Sequence, residues 1–184
     1  MATPSGRLTR PTTDRVREAV FSALAAWNAT ADEAPEDQLA GQAFCDLFAG
    51  SGAVALEAAS RGASPVVAVD RDRAACTVMK ENSRATRLAI EVAPQPVSAF
   101  LGETRQTFDI VWFDPPYDVD DEVVDSLISS ATHSALADDG VVVVERSRRS
   151  RAPRFPEGFE SWDSRYGETV VYYAQRNREP VEQQ

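Results

Sequence analysis

The residues with the clearest chemical potential are Asp114-Pro115-Pro116-Tyr117, at the end of an apolar run from Phe108 to Phe113. That run is β-branched and aromatic and has the length of one buried strand. Proline lacks a backbone N–H and restricts the residue before it, so Pro115 and Pro116 end the strand and stiffen the turn. The spacing therefore places a carboxylate, a bare carbonyl and an aromatic ring at a strand's carboxyl end, the edge at which open α/β sheets bind ligands. Such a set suits methyl transfer to an amino nitrogen that is a poor nucleophile. The exocyclic amine of a nucleobase has its lone pair delocalised into the ring, and acceptors that grip its hydrogens turn that pair outward. Asp114 and the Pro115 carbonyl are the candidate acceptors, and Tyr117 offers a face on which a flat base can stack. The same four residues would also make a plain rigid strand-to-helix turn.

A second group complements the first. Asp46-Leu47-Phe48-Ala49-Gly50-Ser51-Gly52 reads as a strand end and a tight turn, and Asp70 closes the next apolar strand. Glycines let backbone approach a ligand closely, and an acid at the second strand's tip can take both ribose hydroxyls of an adenosine-type cofactor. Gly50-x-Gly52-x-x-Ala55 also fits a dinucleotide fingerprint, a weak match when it stands alone. Asp46 discriminates between the two readings. Its carboxylate would repel a pyrophosphate at that turn and attract the α-amino group of S-adenosylmethionine. Taken singly, Asp46 and Asp70 read as helix caps and the glycines as turn residues. Their joint occurrence in register with Asp114-Pro-Pro-Tyr117 points to a methyltransferase.

These groups need a scaffold, and the rest of the chain supplies its signals. Residues 14–28 repeat apolar positions at helical spacing through Val16, Ala19, Val20, Ala23, Leu24 and Trp27, behind an arm at 1–13 and a Thr12 or Thr13 cap. Asn28 to Gly41 reads as a connector. From Gln42 onward strand, turn and helix alternate. Strands are expected at Ala43–Phe48, Pro65–Val69, Leu88–Ala93, Phe108–Phe113 and Val141–Glu145, the last after an Asp138-Asp139-Gly140 turn. Helices are expected at Ala53–Arg61 with Gly62 at its C-cap, Arg73–Arg87, Ser98–Thr104 and Asp120–Leu136. Continuous rather than alternating apolar strands fit a parallel sheet covered on both faces. Phe159–Tyr166 and Thr169–Ala174 flank Gly167-Glu168 as a closing antiparallel hairpin, and residues 175–184 read as a polar tail. The expectation is one α/β domain over 1–184, with its core at 42–174.

Composition narrows the partners. With 184 residues and 43% hydrophobic content the chain can bury a proper core. No apolar run approaches the ~20 residues that span a bilayer, and the first residues are polar, so a cytoplasmic protein is expected. Cys45 and Cys76 have neither disulfide-framework nor metal-type spacing, and His133, the single histidine, reads as a helix-surface residue. No metal is expected. A net charge of −10 argues against a protein that simply coats nucleic acid. Against that acidic body, Arg146, Arg148, Arg149, Arg151 and Arg154 crowd together, as a solvated loop or as a phosphate-gripping rim. Arg148, Arg149 and Arg151 are the candidate RNA contacts.

Several of these segments together resemble one family, the bacterial 16S ribosomal RNA guanine-N2 methyltransferases called RsmD. The resemblance rests on Arg10-Pro11-Thr12-Thr13-Asp14-Arg15-Val16-Arg17-Glu18-Ala19, Asp46 to Gly52, Asp114 to Tyr117 and Tyr166-Gly167, and runs from about Arg10 to Tyr173. It implies a three-layer, Rossmann-like sheet of seven mostly parallel strands, S-adenosylmethionine as donor, and one guanine of 16S rRNA in the small subunit or its assembly intermediate as acceptor. It implies that Asp46, Phe48, Gly50 and Gly52 line the methionine end of the cofactor, that Asp70 holds the ribose, and that Arg71 is a further cofactor-binding residue. Backbone at Val97 and Ser98 would meet the adenine, and Thr13 and Arg15 would lie in a partial lid. Asp114, Pro115 and Tyr117 would grip the guanine amine in a protein acting as a monomer. Adenine N6 of DNA is the rival acceptor, for which a target-recognition domain would be expected. A non-catalytic nucleotide-binding or ribosome-assembly protein is the rival of another class. Two departures stand out. Family members usually carry a basic β-hairpin ahead of the Arg-Pro-Thr segment, and nine residues precede Arg10 here, so a late start codon or a weaker RNA grip is expected. Pro96-Val97 replaces the family's adenine-binding Asp or Asn and small residue, from which weaker cofactor affinity is expected.

Overall fold

The structure, a computed structural model, describes residues 14–177. Thr12 and Thr13, the expected caps of the first helix, lie outside the described residues. Helix α1 (Asp14–Trp27) turns Val16, Val20, Phe21 and Leu24 inward, the stripe its sequence period requires. The connector after it folds a short 3₁₀ turn at Pro35–Asp37. Then come β1 (Phe44–Leu47), α2 (Ala53–Ser60), β2 (Val66–Val69), α3 (Arg73–Thr86), β3 (Glu91–Ala93) and α4 (Val97–Glu103). The chain continues through β4 (Phe108–Phe113), α5 (Asp121–Ser134), β5 (Leu136–Ser147), β6 (Phe159–Tyr166) and β7 (Thr169–Arg176).

The strands form one seven-stranded sheet in the order β3-β2-β1-β4-β5-β7-β6. The first five pair in parallel, and β7 joins β5 and β6 antiparallel. Helices α1, α2 and α3 cover one face, where Phe21 stacks on Phe44 at 6.1 Å between ring centroids and Met79 packs among them. Helices α4 and α5 cover the other through Phe100, Leu101, Val124 and Ile128. This is the three-layer architecture the sequence implies. Trp112, fully buried on the α1 face, anchors the centre, and its indole Nε1 finds no hydrogen-bond partner among the described residues.

Element boundaries differ where side chains take over from pattern. Strand β3 is three residues at the sheet edge rather than Leu88–Ala93, because Arg87 takes a left-handed conformation as the C-cap of α3 and Leu88 O accepts the Ser83 hydroxyl. Helix α4 begins a residue earlier than expected, at Val97 with Pro96 at its N-cap. The helix expected to reach Leu136 stops at Ser134, and the expected turn Asp138-Asp139-Gly140 lies inside β5. Leu136 pairs with Phe108 and Val141 with Ile110, so those residues bulge out of a strand that continues on both sides. Gly140 is needed there because a Cβ would come within 2.9 Å of the Asp109 carbonyl oxygen.

One buried ion pair ties the far side of the sheet together. The Arg146 side chain on β5 is 4% exposed and donates through Nη2 to Asp121 Oδ1 at 2.6 Å, fixing the start of α5. Asp121 is 32% exposed and also lies 3.8 Å from Arg151. The two partners are therefore not equivalent. Asp121→Ala strands a desolvated guanidinium and is expected to cost about 3 kcal/mol or more. Arg146→Met leaves a carboxylate that water and Arg151 can still meet, and should cost clearly less; urea unfolding of both variants checks the order.

Candidate active site

The site is set by register. Leu47 at the end of β1 pairs with Val69 of β2 on one side and with Phe113 of β4 on the other. The residues one step beyond, Asp70, Phe48 and Asp114, therefore stand level at the carboxyl ends of adjacent strands. With strands about 4.8 Å apart, the two carboxylate positions are roughly 10 Å from each other across Phe48. After β3 the chain crosses back over β1 to enter β4, so the gap between β1 and β4 is where the strand order reverses, the place such sheets hold ligands.

The turn after β1 is built from left-handed residues, with φ of +69° at Phe48, +54° at Gly50 and +77° at Gly52. A non-glycine residue in that region is strained, and Phe48 is half-buried against the α4–α5 cluster. The two glycines serve different ends. A Cβ at Gly52 would lie 2.4 Å from Met79 Cγ, so that glycine lets α3 pack against the start of α2. A Cβ at Gly50 would meet nothing within 4 Å and would project into open space. A ligand lying against the turn needs that space, and the turn fits one that approaches backbone closely.

Asp70 holds this turn. Its Oδ2 accepts the Gly50 N–H at 2.8 Å, and its Oδ1 accepts the Asp72 N–H at 2.8 Å. A carboxylate offers about four acceptor positions, so hydroxyl donors of a ribose can still be met. Asp46 lies deeper, 2% exposed, on the strand beneath the turn, with Oδ2 accepting the Ala55 N–H at 3.1 Å in the first turn of α2. Burial pushes its carboxyl up to about 8, partly countered by that amide. The free protein thus holds a neutral acid here at neutral pH, which an incoming ammonium would ionise.

On the acceptor side, Asp114 and Pro116 are half-buried, Pro115 is buried and the Tyr117 ring is 59% exposed. Pro116 O accepts the Val119 N–H at 3.1 Å, closing the turn that presents Tyr117. Asp46, Phe48, Gly50, Gly52, Asp70 and Asp114 are thus brought to one end of the sheet. Val97 packs its side chain into the α4–α5 cluster, and Ser98 and Arg71 are exposed. Arg15 sits exposed in the first turn of α1, and Thr13 lies outside the described residues. The arginine group divides. Arg151 donates to Asp125 at 2.8 Å and Arg146 is buried on Asp121, whereas Arg148 and Arg149 are exposed beyond β5. Among the described residues there is no group of three His, Cys, Asp or Glu able to hold a metal. No described helix is long and apolar enough to cross a membrane.

The model of the family described as conserved hypothetical protein 95 matches residues 1–175. Ribosomal RNA small subunit methyltransferase D of Escherichia coli K12 is 30% identical over 167 residues, 89% of this chain and 77% of that protein. The chain belongs to the ribosomal RNA small subunit methyltransferase D (RsmD) family. The solved structure of Escherichia coli yhhF superposes with a TM-score of 0.79 at 26% identity, covering 97% of this chain and 92% of that one. A Thermus thermophilus 16S rRNA N2 G1207 methyltransferase, solved with AdoMet and guanosine, shares the fold with a TM-score of 0.69 at 20% identity, over 92% of this chain and 45% of that one. The fold is that of S-adenosylmethionine-dependent methyltransferases, and the family is one of rRNA methyltransferases. The packing of Met79 under Gly52 has no counterpart in the sequence pattern.

The two glycines of the turn should respond differently to substitution. Gly52→Ala should lose about 2–5 kcal/mol, from the left-handed backbone and the clash with Met79, whereas Gly50→Ala should lose only about 1–2 kcal/mol and show its larger effect in cofactor affinity. Thermal unfolding beside calorimetric titration separates them. The raised acid of Asp46 also makes the free protein pH-dependent. The fold keeps a proton that the unfolded chain releases near its ordinary value of 3.8, so this contribution is full below that pH and is lost as pH rises towards about 8. Asp46→Asn should flatten that decline in unfolding curves taken across the window.

Proposed function

We propose that this chain transfers a methyl group from S-adenosylmethionine to the exocyclic N2 of a guanine in 16S rRNA, within the small subunit or its assembly intermediate. The observation that carries the reading is the level placement of Asp70, Phe48 and Asp114 where the strand order reverses. One wall offers a glycine turn with open space, and the neighbouring strand offers the carboxylate, carbonyl and aromatic face. Family membership adds the class of RNA. On this reading the protein works as a monomer on ribosomal particles in the cytoplasm.

The open space at Gly50, the acid at Asp70 and the buried acid of Asp46 fit this cofactor: Asp70 meets the ribose, the turn lies along the methionine portion, and Asp46 answers its ammonium. When bound, S-adenosylmethionine supplies a methyl on a sulfonium that leaves as a neutral thioether, so the acceptor need not be deprotonated first. Asp114 and the Pro115 carbonyl accept the two N2 hydrogens and withdraw the lone pair from the guanine ring. The pair then points at the donor side, and the fixed turn removes the entropy of finding that geometry. As the new N–C bond forms, the Asp114 charge offsets the positive charge developing on N2, which sheds one proton to water. Tyr117 covers the base by stacking.

Methylated nucleotides mapped in small subunits from cells with and without the gene should differ at one guanine. In vitro, Asp114→Ala should lower kcat by about 10²- to 10³-fold while cofactor and particle binding persist. Unmethylated particles that stay unmethylated with the intact protein would instead support a binding module.

A further inference from the structure

The carboxylate on the strand beyond Asp114 has no part in the methyl transfer itself. Phe113 pairs with Val144, so Glu145 stands level with Asp114 on the adjacent strand. At the height of the strand ends carrying Asp70, Phe48 and Asp114, β5 continues to Ser147, and Glu145, within that strand, is 8% exposed. Strand alternation sends Val143 to the α1 face and Val144 to the α5 face, so Glu145 projects to the α1 side, as Trp112 does on β4 two residues before Asp114. The backbone carrying it is held from both directions. Glu145 pairs with Val171 of β7, and the next residue, Arg146, is pinned on the opposite face by Asp121 at 2.6 Å. That same ion pair fixes the exit of the Asp114 turn into α5, so the two acids are positioned by one framework.

We propose that Glu145 accepts the N1–H of the target guanine and so selects guanine over bases without that hydrogen; the assignment rests on the proposed guanine acceptor. Guanine presents N1–H and N2–H₂ side by side, and two neighbouring acceptors match that edge. Asp114 with the Pro115 carbonyl takes the amine, and Glu145, one strand away and one methylene longer, takes the ring N–H. A carboxylate offers about four acceptor positions, so neither group need be idle in the free protein to receive the base. Adenine presents a lone pair at N1 and has no hydrogen there to give to an acceptor. A site that bonds a substrate N–H disfavours the analogue lacking it, because a bond made to guanine is lost.

The test uses small subunits reconstituted from unmodified rRNA carrying either guanine or 2-aminopurine at the mapped position. 2-Aminopurine keeps the N2 amine and has an acceptor in place of the N1–H. The wild-type protein should methylate guanine about 100-fold or more faster in kcat/KM. Glu145→Gln, whose amide can donate to the analogue's N1, should narrow that ratio at least about tenfold. Calorimetric titration with S-adenosylhomocysteine should give the same affinity for both proteins, which shows the variant folded. Equal rates on the two bases by the wild-type protein would overturn the proposal without any variant. So would an unchanged ratio in Glu145→Gln, which makes the side chain a support only. Absence of methylation on either base by the wild-type protein would overturn the guanine reading itself, and this role with it.

Discussion

Parallel register is the constraint on which the rest of this molecule depends. Because Leu47 pairs with both Val69 and Phe113, the chain leaves three adjacent strands at one height, and the turns beyond them face the same space. The strand order reverses between β1 and β4, so no crossover covers that space. A slip of one residue would turn every inward side chain to the other face, and the two buried clusters forbid it. Trp112, Phe44 and Phe113 thus fix the distance between the glycine turn after β1 and the Asp114 turn after β4.

Charge is distributed around that frame with a clear division of labour. Asp46 is buried and held neutral by desolvation, while Asp70 is satisfied by backbone amides and stays at the mouth. Glu145 and Arg146 are consecutive on one strand and point to opposite faces, one toward the α1 face and one into the ion pair with Asp121. The acidic start of α5 spends Asp121 and Asp125 on Arg146 and Arg151. Arg148 and Arg149 lie outside that network and are exposed, Arg149 at 3.8 Å from Glu168.

The fold was largely legible in the sequence because its signals were local and redundant. Apolar strands ended at acids, Gly62 and Gly167 marked a helix end and a hairpin, and turn chemistry agreed with period. What could not be read was whatever depended on contacts distant in the chain. The bulge at Asp138-Asp139-Gly140 has the composition of a turn, and only pairing of Leu136 with Phe108 reveals that a strand continues through it. Likewise, the sequence groups five arginines within nine residues, but only the position of α5 shows which are turned to acids. The two glycines of the cofactor turn look alike in sequence; Met79 under Gly52 and open space over Gly50 tell them apart.

The claim at the centre is that one chamber at the tips of β2, β1 and β4 holds donor and base together. A crystal structure of the protein with S-adenosylhomocysteine and guanosine tests it most directly. The account expects the ribose hydroxyls on Asp70, the homocysteine chain along Gly50, and the guanine N2 between Asp114 and the Pro115 carbonyl, facing the sulfur. A cofactor bound away from Gly50 and Asp70, or a guanine whose N2 points away from Asp114, would contradict it.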